Sequence, residues 1–74
     1  MKQKVELPEK KENSLQAIID FLIDNGLSEF DTNIFIHTDL VQFGGYRNMV
    51  DVARDGDWEI AWTVAELYMN GDLT

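Results

Sequence analysis

Residues 57–69 read Asp57-Trp58-Glu59-Ile60-Ala61-Trp62-Thr63-Val64-Ala65-Glu66-Leu67-Tyr68-Met69, and this stretch decides the fold. From Trp58 onward only Glu59, Thr63 and Glu66 are not apolar, and at about 100° per residue these three share one narrow arc. Asp57 offers a side-chain acceptor to the first free amides of a helix. Glu59 falls in the first turn, where the helix dipole favours negative charge. Asn70-Gly71 stops the run. The reading is a helix over 58–70, apolar around most of its circumference. Such a helix is central in its own domain or pressed against another chain.

Toward the N-terminus, Tyr46, Met49, Val50 and Ala53 recur at i, i+3, i+4 and i+7 and predict a helix over 46–54. It is entered through Gly44-Gly45 and closed at Asp55-Gly56. So short a joint folds the two helices into an antiparallel hairpin. The pattern Ala61-x-x-Val64-Ala65-x-x-Tyr68, with Ala53-Arg54-Asp55-Gly56-Asp57 before it, resembles the first helix of a tetratricopeptide-type repeat and the junction preceding it. The resemblance covers about a third of the chain, and Ala61 stands where the pattern usually has an indole. It implies a helix-hairpin interaction module.

Further back, Leu15, Ile18, Ile19 and Leu22 form another helical face, widened by Ile23, with Asp20 and Asp24 opposite. Asn13 or Ser14 caps its start, and Asn25-Gly26 ends it with Leu27 folding back as a hydrophobic contact. This predicts a helix over 14–25. Residues 28–43 are ambiguous. The β-branched content of Asn33-Ile34-Phe35-Ile36-His37 suits a strand, but no second strand exists to take its hydrogen bonds. Ser28 with Asp31 opens a short helix instead, and Thr38 caps another through Phe43. An irregular or short helical segment is the expectation. The fold class is therefore all-α, a small domain of three to four helices.

The 74 residues hold 14 acids, six bases, one histidine and no cysteine, for a net charge of −8. That length allows one small domain with a modest core. Residues 1–12 carry four lysines against three glutamates, a net of +1, while residues 13–74 carry −9. The first is a polar, flexible lead-in and the second a single acidic helical domain. Lys2 and Lys4 lead into no apolar stretch of a signal peptide, and no apolar run approaches the ~18 residues of a membrane helix. A cytoplasmic protein without membrane contact is expected.

Without cysteine there is no disulfide, thiolate metal site or cysteine nucleophile. Acids at Asp55, Asp57, Glu59 and Glu66 mimic the spacing of a calcium loop, but Ile60 occupies the position where that loop needs glycine. His37 is the lone histidine, and Ser14 and Ser28 lack the setting of a nucleophile. Neither enzyme chemistry nor a cofactor is expected. A helix-turn-helix, with 39–43 as first helix and Arg47, Asn48, Asp51 and Arg54 on a recognition helix, is opposed by the charge of the body, since phosphate contacts supply most affinity for a duplex.

What remains is binding, or acids that serve only to keep a small domain soluble. An acidic exterior that includes Asp20, Asp24, Glu29, Asp31, Asp51 and Asp55 steers toward a basic surface of a partner protein. In composition this is the manner of small phage-type inhibitors of restriction or CRISPR nucleases and of acidic antitoxins. The alternative is a structural or assembly subunit that forms a homodimer through Trp58, Trp62, Tyr68 and Met69 of the last helix.

Overall fold

The computed structural model describes residues 5–73, which form four helices: α1 (Leu15–Asp24), α2 (Glu29–Ile36), α3 (Met49–Asp55) and α4 (Trp58–Met69). Among the described residues there is no strand, only one antiparallel bridge between Leu40 and Tyr46. The all-α class is as the sequence predicts. No described helix is long and apolar enough to cross a membrane.

Caps set the helix limits. The Ser14 hydroxyl accepts the Ala17 amide at 3.0 Å, and the Ser28 hydroxyl accepts that of Asp31 at 3.0 Å. Asp57 Oδ1 receives the Ile60 amide at 3.4 Å. At the end of α1, Leu27 N–H returns to Leu22 O and Gly26 N–H to Ile23 O, the paired bonds of a Schellman ending. The same pattern joins α3 to α4: Asp57 N–H reaches Val52 O, and Gly56 takes φ +77°.

In the middle of the chain Ser28 opens a short helix over residues 29–36 with Asp31 in its first turn, as expected. Two other expectations there are not met. Thr38 does not cap a further helix, because its hydroxyl donates back to Ile34 O at 3.0 Å and residues 41–45 are turns. The third helix starts at Met49 rather than at residue 46, because Asn48 Oδ1 accepts the amides of both Val50 and Asp51. Tyr46 shares the helical spacing but packs from the bridge to Leu40. The helix-turn-helix arrangement is thereby absent: there is no helix at 39–43, and Arg47 precedes α3.

The core is drawn from every helix. Ile18 and Leu22 of α1, Phe35 of α2, Met49 and Val52 of α3 and Ala61, Val64 and Ala65 of α4 are all sealed from solvent, as is Leu40 of the loop. Helix α4 packs on both α1 and α3. The described part of the N-terminal lead-in, residues 5–12, carries no helix or strand but is fastened to α4. Asn70 Oδ1 accepts Val5 N–H at 2.7 Å, and Asn70 Nδ2 donates to Val5 O at 3.0 Å. Val5 and Leu7 rest against the core, and the Trp62 indole donates to Glu12 O at 3.1 Å.

Candidate functional site

Docking of residues 5–12 leaves a cleft of about 410 Å³ between that segment and α1. Ala17, Asp20, Phe21 and Asp24 line one wall, because i, i+3, i+4 and i+7 share a helical face. Glu6, Lys10 and Glu12 line the other, and Trp62 lies at the base with Phe21. The two rings meet edge to face at 5.7 Å, with Trp62 only 4% exposed. Asp20 is steadied by Gln16, whose Nε2 donates at 2.9 Å. Among the described residues, four carboxylates thus surround a partly aromatic floor beside a single ammonium. That arrangement suits an arginine or lysine side chain, whose stem lies along apolar surface while its head meets carboxylates.

Of the acids singled out from the sequence, Asp20 and Asp24 meet in this cleft together with Trp62. Glu29 and Asp31 do not join them. They occupy the first turn of α2, and Glu29 borders a separate groove. Asp51 is engaged with Arg54 at 3.4 Å, the one ion pair among the described residues. Asp55 accepts a hydrogen bond from the Tyr46 hydroxyl at 2.6 Å, and Asp57 Oδ2 lies 3.3 Å from the same oxygen. The bond to Asp55, then desolvation and the negative charges nearby, push the Tyr46 pKa well above its ordinary value. A phenol so held keeps its proton.

The apolar residues expected at an interface are mostly occupied within the chain. Trp62 is buried, Tyr68 packs its ring on Phe35 at 4.5 Å, and Trp58 and Met69 are half-buried against the core. No large apolar side chain of α4 is exposed. Among the described residues the exposed ones are Ile23 of α1, Phe30 and Ile34 of α2, and Val41 of the loop. Among the described residues no group of three or more metal-ligating side chains gathers. His37 caps the end of α2 with Nδ1 3.0 Å from Asn33 O.

Sequence reasoning missed Glu6 and Glu12 as cleft residues and Phe30 and Ile34 as an exposed pair. Val5 and Leu7, two apolar residues one apart in a polar segment, were the available sign of docking. Phe30 and Ile34 stand four apart, one helical turn, once Ser28 is taken as a cap. No family model matches this chain, and neither does any curated protein or solved structure.

Proposed function

We propose that this chain is a non-catalytic protein-binding module of the cytoplasm that docks on a basic surface of its partner, with an arginine or lysine entering the cleft between residues 6–12 and α1. The observation that carries this reading is the convergence of Glu6, Glu12, Asp20 and Asp24 on one cleft against Lys10 alone among the described residues. The net charge of −8 adds long-range attraction toward such a partner and repels nucleic acid itself. A surface of this kind competes for a groove built to hold DNA or RNA. An assembly role through the last helix gains no support from a helix on which Trp62 is buried and no large apolar side chain is exposed.

The test is capture of the partner from the native host by the parent chain and by Asp20→Lys/Asp24→Lys. Both substitutions are on the exposed side of α1 and leave its buried face intact. The reversed variant should lose the partner, and added DNA or RNA should displace it from the parent. Equal capture by both chains at low and physiological salt would refute the cleft as the docking site.

A further inference from the structure

Helix α2 carries two large apolar residues on its open side. Phe30 is 75% exposed and Ile34 50% exposed, one turn apart. At about 100° per residue, Glu29 and Asp31 fall on either flank of this stripe. Beside it runs a groove of about 250 Å³ between α1 and α2, lined by Ile19, Ile23, Glu29, Thr32, Asn33 and Ile36. Ile23 is itself exposed. Thr32 is 3% exposed, and its hydroxyl, hidden from solvent, has no hydrogen-bond partner. The groove therefore joins apolar surface, a carboxylate and an unsatisfied hydroxyl, and no lysine or arginine among the described residues lines it.

We infer that the stripe of Phe30 and Ile34, with the adjoining α1–α2 groove, is a docking surface for a basic amphipathic segment of another protein. Its apolar side chains cover Phe30 and Ile34 and enter the groove past Ile23, while its lysines or arginines face Glu29 and Asp31. Charge selects this occupant. A second copy of the chain would bring two bodies of −8 together and set Glu29 and Asp31 against their own kind. A partner with cations beside its apolar residues meets attraction at the same positions. A hydrogen-bonding group on the entering segment supplies what the Thr32 hydroxyl lacks once that side chain turns. The inference rests on the protein-binding reading but on a different face from the acidic cleft, so the two stand or fall on separate variants.

A library of displayed random peptides selected against the full chain tests it. Enriched peptides should combine two or more large apolar residues within one helical turn with adjacent lysine or arginine. Phe30→Ser/Ile34→Ser should bind them at least tenfold more weakly, with unchanged circular dichroism because both side chains are exposed. Glu29→Lys/Asp31→Lys should weaken them more than Asp20→Lys/Asp24→Lys does, although both pairs change the net charge equally. The inference is overturned by no enrichment, by peptides without basic residues, or by undiminished binding to Phe30→Ser/Ile34→Ser. It is equally overturned if binding follows Asp20 and Asp24 instead, which would leave the cleft as the docking site. Self-association in sedimentation that Phe30→Ser/Ile34→Ser abolishes would make the occupant a second copy, contrary to the inference.

Discussion

The Tyr46 hydroxyl donates to the Asp55 carboxylate across nine residues of chain at 2.6 Å, tying the loop after α2 to the end of α3. Folding raises the tyrosine's pKa, so the folded state holds this proton at pH values where the unfolded chain releases it. The bond's contribution is then fully present below the unfolded value near 10 and is lost as pH rises beyond it. Tyr46→Phe should be less stable than the parent at pH 8, with the difference narrowing from about pH 10 upward. Urea melts between pH 8 and 11 read this directly. A constant difference across that range would show that the bond contributes nothing.

Gly44 has φ +84°, and a Cβ there would meet Tyr46 Cε2 at 3.1 Å and Ile60 Cδ1 at 3.3 Å. Gly44→Ala adds left-handed strain of about 1–2 kcal/mol and crowds the ring that reaches Asp55. Gly45 has a similar φ of +80° but open space around the added carbon. Gly44→Ala should therefore lower the melting temperature more than Gly45→Ala. Equal losses would mean that strain alone acts.

Trp62→Ala should cost about 3–5 kcal/mol, the range for truncating a buried aromatic. The loss removes the edge contact with Phe21 and the bond to Glu12 O as well as buried area. Set against a total of about 4–11 kcal/mol for a chain of this size, it leaves little or no folded population. A folded variant losing under ~1 kcal/mol would contradict the central place of α4.

Much of this fold is legible in the sequence, and each exception has an identifiable cause. Helices α1 and α4 declare themselves because capping residues and apolar periodicity agree. In α2 they disagree: Phe35 and Ile36 face the core while Phe30 and Ile34 face out, so the pattern looks like a β-branched run. Tyr46 deceives differently, since it matches the spacing of Met49, Val50 and Ala53 while standing outside their helix. Asn48, a good cap, marks the true boundary. Asp20 and Asp24 are readable as exposed acids, yet the cleft also needs Glu6 and Glu12, placed by contacts some fifty to sixty-five residues apart in sequence. No local pattern encodes those.

Asn70 both caps α4 and holds Val5 through two hydrogen bonds. Asn70→Ala should cost about 1–2 kcal/mol, the usual loss for a few part-exposed hydrogen bonds. It should also loosen the wall of the cleft. Faster amide exchange across residues 5–12, with α1 unaffected, is the expected result. Unchanged exchange would mean that Val5 and Leu7 hold the segment by packing alone.

The central claim is that the acidic cleft, not the acidic surface at large, receives a basic side chain. Nuclear magnetic resonance titration of the labelled full chain with a short arginine-containing peptide tests it most directly. Raising ionic strength from 0.01 to 0.15 M shortens the Debye length from about 30 Å to about 8 Å and strips away diffuse attraction. At the higher salt, shifts should persist at Asp20, Phe21, Asp24 and the Trp62 indole and should vanish in Asp20→Lys/Asp24→Lys. Shifts spread evenly over Asp39, Asp51, Glu59 and Asp72, or lost altogether at 0.15 M salt, would contradict the claim.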